Sequence, residues 1–83
     1  MEKELIKTVE DLECDYELNN GELVIYLSTV KDKVKIICKQ KEKGIIVLKI
    51  KNNKLISRNR FFNFDNLRSF ICCQFALECI QLA

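Results

Sequence analysis

Residues 15–60 read DYELNNGELVIYLSTVKDKVKIICKQKEKGIIVLKIKNNKLISRNR, and this stretch decides the fold. Short apolar runs within it are separated by segments rich in Asn, Gly and Lys. Asn20-Gly21 is the strongest hairpin signal of the chain, because both residue types accept the positive φ that a two-residue turn needs. Asn52-Asn53 offers a second turn of the same kind. No connection is long enough for a helical crossover, so the strands must pair antiparallel.

These turns delimit five strand segments. The segments span residues 15–19, 22–28, 34–39, 45–51 and 55–60. The last segment is the most polar, which is typical of an edge strand.

A helix is predicted on each side of the strands. Residues 2–13 carry apolar side chains at helical spacing with charges between them, which indicates an amphipathic helix. A second helix is expected to begin after Asn63 or Asp65, either of which can cap it, and to run toward Leu82. The predicted fold class is therefore α+β: an N-terminal helix, a four- to five-stranded antiparallel β-meander and a C-terminal helix packed on one sheet face. The 83 residues are expected to form one domain.

Composition restricts the class of protein further. With 48% apolar residues the chain is too hydrophobic to be disordered. Its charged start is not followed by an apolar segment of the signal-peptide type, so secretion is not expected. Five cysteines are an odd number without regular spacing, and they predict reduced thiols and a cytoplasmic protein rather than a disulfide framework.

The net charge of +2 hides a strong division along the chain. Residues 1–22 hold two basic and eight acidic side chains, whereas residues 31–60 hold eleven basic and two acidic ones. Alternation within the strands predicts one basic sheet face opposite the helix-covered face, provided that the registers match. Its candidate residues are Lys35, Lys39, Lys49, Lys51, Arg58 and Arg60. This face has two interpretations: a solvated surface, or a footprint for phosphate or for an acidic protein.

The segment 70–83 is unusually apolar for a helix that covers one face of a sheet. Eleven of its 14 residues are apolar, and the polar ones at 74, 78 and 81 lie within about 60° of the helix circumference. The remaining apolar surface is either sandwiched within the fold or packs against a second copy or a protein partner. The candidate interface residues are Phe70, Cys73, Phe75, Leu77 and Ile80. The segment is too short and too polar to span a bilayer, so no membrane partner is predicted.

Several kinds of chemistry lack their usual residues. The chain has no His, which removes the commonest general base and metal ligand. It has no CxxC pair, and its two glycines do not form a phosphate-binding loop. We therefore predict no catalytic residues, no metal, no cofactor and no small-molecule substrate, and we do not expect an enzyme.

Two resemblances concern layout and size. A basic domain ordered helix, antiparallel sheet, helix resembles double-stranded-RNA-binding domains, but that family has three strands and a Lys-rich start to its second helix, where this chain has only Arg68. The size and layout are also similar to those of small phage-encoded inhibitors such as anti-CRISPR proteins, which resemblance implies a non-catalytic domain that blocks a protein machine. This likeness involves no motif, and a fold does not determine a function.

The sequence leaves two functional hypotheses. The first is a small non-catalytic protein-interaction module, an inhibitor or regulator, that docks or self-associates through the apolar C-terminal helix. The alternative is a nucleic-acid-binding protein that contacts the phosphate backbone through the basic face, with little sequence specificity because most of the charge is Lys.

Overall fold

The fold is α+β, with a five-stranded antiparallel sheet between two helical segments. The computed structural model describes residues 2–80, except for the side chains of Glu2, Ser28 and Ile80. The elements are α1 (Glu2–Asp11), β1 (Asp15–Asn19), β2 (Glu22–Ser28), β3 (Lys33–Lys41), β4 (Gly44–Lys51), β5 (Lys54–Phe61), α2 (Phe64–Phe75) and a π-helical segment (Ala76–Ile80). The predicted fold class is confirmed, with five strands rather than four. The part of the second helix predicted toward Leu82 lies outside the described residues.

The sheet is a meander in which strand order follows chain order, β1-β2-β3-β4-β5. Both predicted two-residue turns form as expected. Asn20 and Gly21 have φ of 49° and 80°, and Asn52 and Asn53 have φ of 52° and 68°. Positive φ at both central residues matches the right-handed twist of the flanking strands, and it fixes the register on either side.

Gly44 marks a different kind of constraint at the start of β4. Its φ is 105°, and a Cβ added there would lie 2.6 Å from the carbonyl oxygen of Phe61 on β5. Only a residue without a side chain allows the two strands to approach this closely.

The helices cover one face of the sheet, and the hydrophobic core lies between them and the strands. Leu5 and Val9 of α1 and Leu67 and Ile71 of α2 are buried. They join one cluster with inward-facing strand residues, namely Leu23, Ile25, Leu27, Val34, Ile36, Cys38, Ile45 and Val47. The other face of the sheet carries no helix among residues 2–80.

Local signals place the second helix. The Asn63 side chain accepts a hydrogen bond from the backbone N–H of Asn66 at 2.9 Å, which satisfies one of the free donors of the first turn. This confirms Asn63 as the cap. No helix in the described part of the chain is long and apolar enough to cross a membrane.

Candidate interaction surfaces

The register of β4 divides the predicted basic face between the two sides of the sheet. Lys49 pairs with Ile36, and Lys51 pairs with Val34, and both of these β3 residues belong to the core. Lys49 and Lys51 therefore lie on the helix-covered face. The expectation of one basic face containing all six candidates is wrong for these two lysines.

Lys49 and Lys51 are matched by the polar residues of the last helical turns. The Lys49 ammonium donates to Gln74 Oε1 at 2.7 Å and lies 3.7 Å from Glu78 Oε2. Lys51 Nζ donates to Glu78 Oε1 at 3.0 Å. The Glu78 side chain is only 8% exposed and the Lys49 side chain 12%. The hydrogen bond and the charge of Glu78 raise the pKa of Lys51.

The polar contacts continue to the loops at this end of the sheet. Asp32 Oδ2 lies 3.6 Å from Lys51 Nζ, and Asp32 Oδ1 accepts from Asn52 Nδ2 at 2.8 Å. The Asn52 hydrogen bond and the Lys51 charge hold the pKa of Asp32 below its ordinary value. Asn52 Oδ1 also accepts from the backbone N–H of Lys33 at 3.0 Å, and the Thr29 hydroxyl accepts from that of Asp32 at 2.7 Å. A continuous network of ion pairs and hydrogen bonds thus connects the last helical turns to the β2–β3 loop and the β4–β5 turn.

Since Gln74 and Glu78 face the sheet, the opposite side of these turns faces solvent. We call this surface, made of Cys73, Ala76 and Leu77, the outer helix face. All three residues are exposed, and Leu77 is 51% exposed. This is the reverse of the usual amphipathic arrangement, in which the polar stripe faces water.

The five predicted interface residues therefore divide into different environments. Cys73 and Leu77 lie on the outer helix face. Phe70 and Phe75 are half-buried and pack against the core, and the Phe70 ring centroid lies 5.1 Å from that of Phe61. The structure does not place these two phenylalanines with Cys73 and Leu77. The side chain of Ile80 lies outside the described residues.

The uncovered face of the sheet, which we call the open face, is built from three rows of side chains in register. From β1 to β5 the middle row is Glu17, Val24, Ile37, Leu48 and Arg58; the flanking rows are Asn19, Glu22, Lys39, Ile46 and Arg60, and Asp15, Tyr26, Lys35, Ile50 and Leu55. Four of the predicted basic residues, Lys35, Lys39, Arg58 and Arg60, are brought together here.

Charge changes sign across the open face. Carboxylates lie on β1 and β2, and the guanidinium groups of Arg58 and Arg60 lie on β5. Between them the middle row presents half-buried aliphatic side chains on β2, β3 and β4. Lys39 Nζ lies 3.4 Å from Glu22 Oε2 in the neighbouring strand. Burial together with the charge of Glu17 raises the pKa of Tyr26.

A pocket of about 400 Å³ lies at one end of the sheet. Its lining includes Tyr26 and Lys35 of the open face and Asp32 and Asn53 of the adjacent loops. Asp32 is engaged by Asn52 and Lys51, and the other ionisable groups of the lining are the phenol of Tyr26 and the ammonium groups of Lys33 and Lys35.

The cysteines are distributed through the fold. Burial raises the pKa of Cys38 to about 12, and burial with the nearby Cys79 and Asp15 raises that of Cys14 to about 11. Both are therefore thiols and not thiolates at neutral pH. Among the described residues, no group of three Cys, Asp or Glu side chains is arranged to hold a metal ion.

Comparison with known proteins gives no relative of this chain: no protein family model, no curated protein and no solved structure matches it. The surfaces themselves therefore carry the functional interpretation.

Sequence reasoning missed the apolar centre of the open face. A signal for it was present in the β3–β4 turn. If Glu42-Lys43 forms a two-residue turn, Lys41 pairs with Gly44, and the same register pairs Ile37 with Leu48. That register also places Lys49 beside Ile36, on the core side.

Proposed function

We propose that this protein is a small non-catalytic interaction module of the cytoplasm, which binds a protein partner through the outer helix face. Its size and layout favour a regulator, or an inhibitor of the phage type that blocks a host protein machine. The cytoplasmic assignment is supported by the five cysteines of the sequence, an odd number without the regular spacing of a disulfide framework.

The observation that carries this proposal is the orientation of the last helical turns. The side chains of Gln74 and Glu78 accept hydrogen bonds from Lys49 and Lys51 on the core side of the sheet. The opposite side of the helix therefore faces solvent, and Leu77 on it is 51% exposed. A helix whose polar side chains face the fold and whose leucine faces solvent has apolar surface available for another molecule. A partner with an apolar groove fits this geometry, because a helix binds such a groove through residues three and four apart, as Cys73, Ala76 and Leu77 are.

Affinity capture with matched baits tests this role. Wild type, Leu77→Gln and Leu55→Gln serve as baits in lysate of the source cell. Leu55 is 60% exposed and lies on the open face, away from the helices, so it controls for the loss of an exposed leucine. We expect a protein that wild type and Leu55→Gln retain and Leu77→Gln loses. If every captured protein binds all three baits equally, the outer helix face is not the docking surface.

Nucleic acid is the weaker candidate partner. Lys49 and Lys51 are occupied by Glu78, and the four basic residues of the open face share it with Asp15, Glu17 and Glu22. Carboxylates on the same face repel a phosphate backbone. We therefore expect no binding to mixed oligonucleotides even at about 50 mM salt, the condition that favours contacts to phosphate most. Tight binding under that condition, weakened by added salt, would favour the nucleic-acid hypothesis instead.

A further inference from the structure

The open face has the dimensions of a small protein interface. Five strands at about 4.8 Å spacing make it about 24 Å wide, and three rows with their side chains extend about 20 Å along the strands. When two such faces pack together, they bury about 1,000 Å² in total, counting both partners, which is the lower limit for a specific protein–protein contact. Both described helices lie on the other side of the sheet and leave this face free.

The centre of the open face is aliphatic. Val24, Ile37 and Leu48 are adjacent in the middle row, and each is half-buried although no helix of residues 2–80 covers it. Ile50 extends the apolar surface on β4, and Leu55 beside it is 60% exposed. A contiguous apolar centre with a charged rim is typical of surfaces that bind protein.

The rim determines which protein fits. Reading across the middle row, the residue types are acidic, apolar, apolar, apolar and basic, from Glu17 to Arg58. A two-fold axis that runs along β3 between two such faces reverses the strand order of the second copy. It brings Glu17 opposite Arg58 of the second copy, Val24 opposite Leu48, and Ile37 against its own counterpart. An axis across the strands would instead oppose acidic β1 to acidic β1.

We propose that the open face is the interface of a two-fold symmetric homodimer, in which the apolar middle rows pack against each other and Glu17 of each copy pairs with Arg58 of the other. Two sheets packed face to face in this way form a sandwich with strands nearly aligned. Lys35 and Lys39 flank Ile37 on β3, so the same axis brings each of them opposite its own counterpart. Their stems cover aliphatic surface, and their ammonium groups must turn away from each other toward the rim. Lys39 already has Glu22 of its own chain at 3.4 Å.

This inference is independent of the proposed docking function. In the sandwich the helices form the outer layers, so the outer helix face stays accessible in both copies. An interface at this lower limit of area is typical of weak or transient contacts, so we expect a reversible dimer rather than a permanent one.

Charge exchange tests the pairing. Glu17 and Arg58 are exposed on opposite edge strands, so Glu17→Arg and Arg58→Glu leave the core intact. Each single variant opposes like charges at two symmetry-related places, whereas the double variant restores opposite charges. Leu77→Gln is the control for association through the helix. Folding of each variant is verified by far-ultraviolet circular dichroism.

Sedimentation equilibrium between about 5 and 500 µM gives the dissociation constants. Wild type should move with concentration from the 9.8 kDa monomer mass toward twice that value. Each single variant should weaken dimerisation about tenfold or more, and the double variant should return to within about threefold of wild type. Leu77→Gln should dimerise as wild type does. A wild type that stays monomeric throughout, or single variants that dimerise unchanged, or a double variant as weak as the singles, would overturn the proposal; so would loss of the dimer in Leu77→Gln alone.

Discussion

Glu78→Gln tests the inward orientation of the last helical turns. The Glu78 carboxylate lies 3.7 Å from the ammonium of Lys49 and 3.0 Å from that of Lys51, beneath the helix and on the core side of the sheet. Replacing it with an amide keeps the size of the side chain and removes the negative charge. The Lys49 ammonium then remains in a largely dehydrated position, where it keeps the neutral Gln74 amide but shares the site with the Lys51 ammonium and has no carboxylate to compensate its charge.

The expected cost follows from the burial of the Lys49–Glu78 pair. Removing one member of a buried ion pair costs about 3–5 kcal/mol, because the remaining charge loses its compensation. Here Lys49 keeps its 2.7 Å hydrogen bond to Gln74, so the cost belongs below that range. We expect Glu78→Gln to lower the free energy of unfolding by about 2 kcal/mol, on the scale of one hydrogen bond to a charged group.

Urea denaturation followed by circular dichroism measures this change as a lower midpoint with an unchanged slope. Glu42→Gln, in the exposed β3–β4 turn, is the matched control and should stay within about 0.5 kcal/mol of wild type. The double variant Lys49→Met with Glu78→Leu should recover most of the stability lost in Glu78→Gln, because apolar side chains of similar volume can replace a buried pair. Lys51 tolerates the change because its side chain is 35% exposed and keeps Asp32 at 3.6 Å. If Glu78→Gln were as stable as Glu42→Gln, the carboxylate would be solvated and the outer helix face would not exist.

Three further predictions concern other parts of the fold. Gly44→Ala should destabilise the protein by about 1–3 kcal/mol in the same urea assay, since the new Cβ meets the Phe61 carbonyl oxygen and the φ of 105° disfavours a side chain. The Asn52 hydrogen bond and the charge of Lys51 lower the pKa of Asp32 from its ordinary value of 3.8. The ionised Asp32 side chain therefore stabilises the fold above that pH, and this contribution is lost as the pH falls through the lower folded value. Asp32→Asn should accordingly lose less stability than wild type between about pH 5 and 2. At about pH 8, maleimide should modify exposed Cys73 in the native protein. Cys38 should react only after unfolding, because burial shields it and raises its pKa to about 12. Mass spectrometry of digests measures both, and equal labelling of the two would contradict the placement of Cys38 in the core.

Much of the fold could be predicted from the sequence because its decisive signals are local. Asn20-Gly21 and Asn52-Asn53 specify their turns through the φ values that these residues accept, and Asn63 caps the second helix through its own side chain. Such signals act over two or three residues and need no knowledge of the rest of the chain.

The surfaces were harder to predict because lysine was assumed to face water. In β4 the residues 45–48 are all apolar, so alternation alone does not say which side is the core. The register of the β3–β4 turn decides this side, and a long-range match then compensates the two lysines: Gln74 and Glu78 lie 25 and more positions further along the chain. The same match turned the polar stripe of the helix inward, which no helical periodicity could indicate.

The inward lysines also matter before the fold is complete. Because strand order follows chain order, each hairpin can form as soon as its second strand leaves the ribosome, before Glu78 has emerged. During that interval the sheet is formed before the last helical turns pack on it, and the hydrophobic face that later lines the core is exposed to solvent. Lys49 and Lys51 then place two uncompensated charges on that face, and charges of this kind oppose aggregation of exposed hydrophobic strands. When the final turns of the helix pack on the sheet, Glu78 pairs with both lysines. The same two charges thus oppose aggregation before the helix has packed and form an internal ion-pair network afterwards.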